Sequence, residues 1–337
     1  MMENKNRSGN QVSRRKFITL TAAAATFSMV PWNFSMGTEP KKVKTKKPDS
    51  KFGGVQIGAI TYSWRSMPGS AEDTLKYCIE CGISSIELMN NTAEQFAGIP
   101  QMTIERPSRD ASEEQRAAFQ KAMKEIGEAQ RKWRLTAPMN KFEELRKIYN
   151  DAGVKIHIAK FSPENWPDEE IDYSFRAAKA MGARGVSTEI GDVSATKLGP
   201  FAEKYGMQVI LHQHGQPGQQ GWTFEKFLEM SPANMLNFDA GHYFGATGLH
   251  PNGIIEKLHD RIASIHIKDK TGPKSTPPNT NMVWGKGETP IADILLLLKK
   301  NKWPIYVDIE LEYNIPEGSD AVAEVKKCVE YCRNILV

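Results

Sequence analysis

Five short motifs in the second half of the chain carry side chains that bind cations or move protons. They are Ser-Thr-Glu-Ile with Glu189, Leu-His-Gln-His-Gly with His212 and His214, Phe-Asp-Ala-Gly-His with Asp239 and His242, Ile-His-Ile-Lys-Asp with His266 and Lys268, and Ile-Glu-Leu-Glu-Tyr with Glu310 and Glu312. Four of the seven histidines fall in these motifs. Imidazoles and carboxylates together are the mixed ligands that Mn2+, Co2+, Zn2+ or Mg2+ accepts while leaving room for substrate oxygens. Singly, each residue has a plainer role: a histidine hydrogen-bonded at a rim, Glu312 as a solvated loop charge, Asp239 as the cap of a following helix. As a set they point to a divalent-metal site.

Such a set must be carried by elements that end at one place. From Phe52 onward, β-branched runs recur at Val55–Thr61, Ser84–Leu88, Val154–Ala159, Gly185–Ile190, Gln208–His212, Met235–Asp239, Ala263–Ile267 and Ile305–Leu311. Amphipathic stretches lie between them at Ala71–Cys81, Ser112–Arg134, Lys141–Ala152, Ile171–Met181, Thr196–Tyr205, Thr223–Glu229, Ile291–Lys300 and Asp320–Leu336. Eight such units predict an α/β chain whose parallel strands close into a (β/α)8 TIM barrel. A doubly wound open sheet is the alternative, but no glycine-rich dinucleotide fingerprint follows the first strand. Period-two parity agrees with a barrel: Ile305, Val307, Ile309 and Leu311 share an apolar face, while Tyr306, Asp308, Glu310 and Glu312 share a polar one. The motifs then sit at the C-terminal strand ends, where barrel enzymes keep their active sites.

With these motifs the sequence resembles the xylose isomerase-like TIM-barrel sugar isomerase/epimerase superfamily, which includes ketose 3-epimerases, hydroxypyruvate isomerase and endonuclease IV. The resemblance runs from about Val55 to the C-terminus and rests on Phe238–His242, Ile265–Asp269, Gly285-Lys286-Gly287 and Ile309–Glu312. It implies a divalent metal held by Asp239, His266 and Glu310 from strands six to eight, and a substrate contact at His242. Where the epimerases carry a strand-five glutamate, this chain has His212, so Glu189 is the replacement carboxylate and His212 a ligand or a base. The expected metal set is therefore Glu189, Asp239, His266 and Glu310; the catalytic set is Glu189, His212 and Glu310. His214, His242, Lys268 and Trp64 are expected to contact substrate. The implied chemistry is proton abstraction beside the carbonyl of a small sugar, giving isomerisation or epimerisation, or, as a lyase or hydratase, β-elimination from a keto sugar or keto-glycoside if an oxygen substituent leaves. A non-catalytic sugar-binding barrel is the competing reading.

Charge narrows the partners. Residues 1–51 carry eleven basic and three acidic residues, so the formal +4 of the chain divides into +8 there and −4 in the remainder. A net-negative body argues against nucleic acid. Ser13-Arg14-Arg15-Lys16-Phe17-Ile18 and the weakly apolar Leu20–Val30 resemble a twin-arginine export signal over residues 1–36, too short for a membrane span, followed by a Lys-rich linker over 37–51 and the barrel over 52–337. An exported, periplasmic protein is the expectation.

Tyr62, Trp64, Trp166, Tyr243 and Phe244 offer rings for sugar stacking or for the core. The loop Lys270–Pro290 reads as a lid or as an oligomer contact. Cys78 and Cys81 on the first helix face Cys328 and Cys332 on the last across the closure, as buried thiols or as a disulfide.

Overall fold

In the computed structural model, which describes residues 47–337, eight parallel strands follow one another around a closed barrel: β1 Val55–Ile60, β2 Ser85–Met89, β3 Lys155–Lys160, β4 Gly185–Glu189, β5 Gln208–His212, β6 Asn234–Asp239, β7 Ile262–Ile267 and β8 Tyr306–Ile309. β8 pairs with both β7 and β1, and β1 with β2, which closes the ring. Every expected strand is present within two residues of its predicted bounds. The twin-arginine-like segment and the linker up to residue 46 lie outside the described residues. Lys51 and Phe52 form a two-residue strand antiparallel to β1, and the buried Ser50 hydroxyl donates to Ile57 O, so the chain is already part of the barrel there. No helix among the described residues is long and apolar enough to cross a membrane.

Alternation of side chains makes two layers. Ile57, Val186, Val209, Leu211, Phe238, Ile265, Ile267, Val307 and Ile309 point outward against the helices and are fully buried, each worth about 1.5–3 kcal/mol as a buried apolar side chain. Inward-facing Ile158, Ile210 and Ala263, with Met235 beside them, form a separate apolar plug low in the barrel. The strand register shifts once between Ile86 and Glu87 and once between Leu236 and Asn237.

The helices begin and end where their sequences dictate. Ser70 caps Ala71–Cys81 by accepting from Asp73 N, and Gly82 closes it in the left-handed region at φ 73°. The predicted single helix Thr196–Tyr205 is instead two, Asp192–Lys197 and Gly199–Tyr205, because Pro200 has no N–H to continue the first but suits the opening turn of the second. Helices Asn90–Ala97, Ala240–Thr247 and Asn252–Leu258 were not expected; each is short, and Ala240–Thr247 has little amphipathic contrast to betray it. All four cysteines are buried free thiols on the paired helices Ala71–Cys81 and Ala321–Leu336.

Loop Lys270–Pro290 is tied down along much of its length. Asp269 accepts from the backbone N–H groups of Gly285, Gly287 and Thr289, and Asp269–Lys270 pairs with Asn281–Met282. A Cβ on Gly287 would stand 2.2 Å from Asp269 Oδ1, so this contact requires glycine.

Candidate metal centre

Barrel register brings the motifs together. Glu189 pairs with His212 across β4 and β5, and Asp239 with His266 across β6 and β7, while Glu310 follows directly on β8. As a result His212, Asp239, His266 and Glu310 each offer a ligand atom within 4.8 Å of the others, and all four are buried. His212 Nε2 lies 3.3 Å from Asp239 Oδ2 and His266 Nδ1 lies 2.9 Å from Glu310 Oε2. Glu189 stands to one side, in a second group with His212 and His214: its Oε2 is 3.4 Å from His212 Nδ1 and 3.3 Å from His214 Nδ1.

The carboxylates demand a cation. The buried Lys268 ammonium reaches Asp239 Oδ2 at 2.9 Å and Glu310 and Glu312 Oε2 each at 2.7 Å. Burial alone would keep these groups neutral, but mutual attraction wins. Lys268, with His242 and His212, holds Asp239 well below the usual carboxylate range; Lys268 and His266 do the same to Glu310, and the acids in turn raise Lys268. Against burial, Glu310 and Glu87 raise His266 well above its ordinary value, and Asp239 and Glu189 raise His212. Glu189 is likewise held low, against burial, by His212 and Lys160. Burial brings His242 down to about 4, leaving a neutral ring whose Nε2 has no hydrogen-bond partner among the described residues.

Asp239 does two things at once. Its Oδ1 caps helix Ala240–Thr247 by accepting from His242 N at 2.7 Å, while Oδ2 faces His212 and Lys268. Gln213 clamps its backbone, accepting from Asp239 N and donating to Asp239 O.

Several residues of the site were not singled out in the sequence. Glu87, fully buried below the cluster, accepts from Asn237 Nδ2 at 2.8 Å and Ser187 Oγ at 2.5 Å and faces His266 Nε2 at 2.7 Å. His266 and Lys160 hold its carboxyl down at about 2 despite burial. Lys160 Nζ donates to Glu189 Oε1 at 2.7 Å. A charged residue between Ile86 and Leu88 was the available signal, since parity turns Ser85, Glu87 and Met89 to one face. Lower still, His157 bridges Asp308 and Ser85 within the closed barrel.

A cavity of about 190 Å3 opens over the centre, lined among others by Tyr62, Lys160, Glu189, His212, His214 and Glu310. Trp64 is not among its walls; only 2% exposed, it packs on Tyr77. Tyr243 belongs to the core, against Phe224 and Phe238.

Residues 194–334 match the family model of the xylose isomerase-like TIM barrel. No curated protein matches the sequence. A sugar phosphate isomerase/epimerase from Parabacteroides distasonis superposes with a TM-score of 0.55 at 15% identity, over 84% of this chain and 96% of that one. A probable 3-DHS dehydratase of Bacillus anthracis gives 0.54 at 13% identity over 82% and 98%, and a D-psicose 3-epimerase 0.53 at 12% over 84% and 99%. At such identities the likeness is one of fold. The chain is a closed eight-stranded barrel of the xylose isomerase-like fold.

Proposed function

We propose that this protein is a divalent-metal-dependent sugar isomerase or epimerase that removes a proton beside a carbonyl. The observation that carries the reading is the convergence of His212, Asp239, His266 and Glu310 at the barrel mouth, with Lys268 already supplying positive charge to the same two carboxylates. His212, Asp239, His266 and Glu310 would hold a divalent cation, which would supply Lewis-acid polarisation of a substrate carbonyl and positive charge beside it. Glu189, ionised and open to the cavity, accepts the α-proton, and His214 and Lys160 orient it. Glu310 lies on the other side of the cluster, held by His266 and Lys268. His242 presents an unpaired, neutral nitrogen for a substrate hydroxyl.

Elimination is a second reading, favoured by the pairing of Lys160 with Glu189. An acid 2.7 Å from the base suits loss of a β-oxygen substituent: Glu189 takes the α-proton, the carbon–oxygen bond breaks, and Lys160 protonates the leaving oxygen. The similarity in fold to both epimerases and a dehydratase accommodates either outcome. Unphosphorylated sugars suit an exported protein, and the net-negative body disfavours nucleic acid.

Incubation with ketoses and keto-glycosides in deuterated water, followed by NMR, tests both readings at once. Deuterium at the α-carbon with isomerised or epimerised product supports the first, and an unsaturated product the second. Saturable binding without exchange, unaffected by Glu310→Gln and Glu189→Gln, would leave a sugar-binding barrel, and protein purified without chelators yet lacking stoichiometric metal would remove the metal.

A further inference from the structure

Helix Glu113–Thr136, inserted between β2 and β3, is an arm that the chemistry at the metal centre does not use. The barrel holds it near its C-terminal end, where Arg134 meets Glu94 and Glu170. The segment leading into it lies back along it: Gln130 Nε2 donates to Pro100 O at 3.0 Å near the base, and Arg116 Nη2 donates to Arg109 O at 2.7 Å towards the tip. Ser112 and Gln115 close a capping box at its start. Such local signals make a helix but do not call for apolar side chains on it, and none of its 24 residues is buried. Yet Phe119, Met123, Ile126 and Trp133 fall one or two turns apart, on one face. Met123 is 48% exposed, as is Ile104 from the segment beside it. Two grooves open along the arm, one of about 720 Å3 against Phe119 and Pro107 and one of about 270 Å3 against Ile104, Ala122 and Ile126. An exposed apolar run of this kind marks a contact surface.

The charges say what covers it. Acidic residues open the helix at Glu113 and Glu114, and basic ones stand near its end at Arg131 and Lys132. Reversing the helix about the point between Ala122 and Met123 sets Phe119 against Ile126, Glu113 against Arg131 and Glu114 against Lys132. Each charged pair also shares a side of the helix, because its members are separated by about five whole turns. Arg131 keeps a free edge: its Nε faces Glu170 at 3.3 Å, while 56% of the side chain is exposed. The like-charged Lys121 and Lys124 lie on the side away from Phe119, and Lys121 has Glu125 at 3.8 Å. The basic N-terminal segment is a poorer match, since the helix itself carries six basic and four acidic residues. We propose that this protein self-associates through helix Glu113–Thr136, two copies laying these helices antiparallel about a two-fold axis at Ala122–Met123. The contact is isologous, so both copies contribute the same residues and the assembly closes at two. Met123 meets its own counterpart at the axis, the Phe119 and Ile126 contact forms twice beside it, and the ion pairs form twice at the ends. Opposed helix dipoles agree with the same orientation.

Sedimentation velocity on the full chain should show a dimer that dissociates on dilution. Met123→Glu should raise its dissociation constant at least about tenfold. Glu114→Lys should raise it about fivefold, and adding Lys132→Glu in the same chain should return it to within about twofold of the parent. All three positions are exposed, so melting temperature should hardly change and reports that each variant is folded. The native cysteines are buried, so Met123→Cys supplies one accessible thiol. A short bismaleimide should link two chains through it and should not do so through Glu128→Cys, on the opposite side of the helix. A monomer at every concentration overturns the proposal; if hydrogen exchange then finds helix Glu113–Thr136 protected, the chain's own residues cover the face instead. A dimer indifferent to both Met123→Glu and Glu114→Lys, or linked as readily through Glu128→Cys, overturns it as well, because another face then makes the contact.

Discussion

His266 is held between two carboxylates, its Nε2 2.7 Å from Glu87 Oε2 below and its Nδ1 2.9 Å from Glu310 Oε2 above. Glu87 thereby fixes the ring so that Nδ1 faces the cluster, the arrangement by which an outer carboxylate orients a metal-ligating histidine. Glu87→Gln should lower metal affinity about 10–100-fold, read by competition with a chromophoric chelator. Ser187→Ala removes one hydrogen bond to Glu87 without touching His266 and should change affinity far less. Equal losses in the two variants would reduce Glu87 to a packing role.

Metal binding should release protons. Neighbouring carboxylates raise the pKa of His266 well above its ordinary value, and that of His212 above it, against the effect of burial, and a ligating imidazole nitrogen must be free of its proton. Apparent metal affinity should therefore rise with pH. For the metal-free fold the sign is opposite: a raised histidine pKa gives stability that is fully present below the unfolded value of about 6.5 and fades as pH climbs through the folded value. The difference in melting temperature between metal-loaded and metal-free protein should widen from about pH 6 to 8. Calorimetry in two buffers of different ionisation enthalpy measures the proton count directly, and a count of zero would contradict the expectation.

Parity and periodicity made the barrel legible, because outward residues such as Val307 and Ile309 had to be apolar and inward ones such as Glu310 did not. The same parity put His266, Lys268 and Glu310 on the inner face. What it could not supply was height and closure. Glu87 lies on β2 and His266 on β7, far apart in sequence, and only the closed ring brings them to 2.7 Å. Register shifts beside Glu87 and Asn237 add a displacement no local pattern encodes. Trp64 shows the converse: its position after β1 suggested the mouth, but packing against Tyr77 turned its ring away from the metal cavity.

Asp239 carries a cap and a charge on different oxygens, and substitution can separate them. Asp239→Asn keeps an acceptor for His242 N–H but loses the charge that faces His212 and Lys268, so metal stoichiometry should collapse while helix Ala240–Thr247 stays capped. Asp239→Ala removes both and should cost about 1 kcal/mol more in urea unfolding. The same stability for the two variants would mean that the cap contributes nothing.

Thiol counting should find no readily reactive cysteine in the folded protein and four after denaturation, with or without reductant. Burial pushes Cys81 and Cys332 up to about 12 and raises Cys78 and Cys328 further from reactivity, so little thiolate exists near neutral pH. Two thiols instead of four in the denatured, unreduced sample would reveal a disulfide.

Helix Glu113–Thr136 has 24 residues and none of them is buried, so hydrophobic packing alone is a weak anchor. Its hold is concentrated near its C-terminal end, where Arg134 Nε meets Glu94 Oε1 at 2.8 Å, Nη1 meets Glu170 Oε2 at 3.1 Å, and the guanidinium lies 4.2 Å over the Trp166 ring. Arg134→Met keeps much of the stem but strands Glu94, which is 3% exposed, and leaves Glu170 with Arg131. Removing one partner of a buried ion pair typically costs about 3–5 kcal/mol. That loss should appear as fast hydrogen exchange across residues 113–136 with the barrel strands still protected. Adding Glu94→Gln should restore part of the protection, because the carboxylate left without its cation is the source of the penalty. Uniform loss of protection throughout the barrel would show instead that this helix is part of one cooperative unit with the strands.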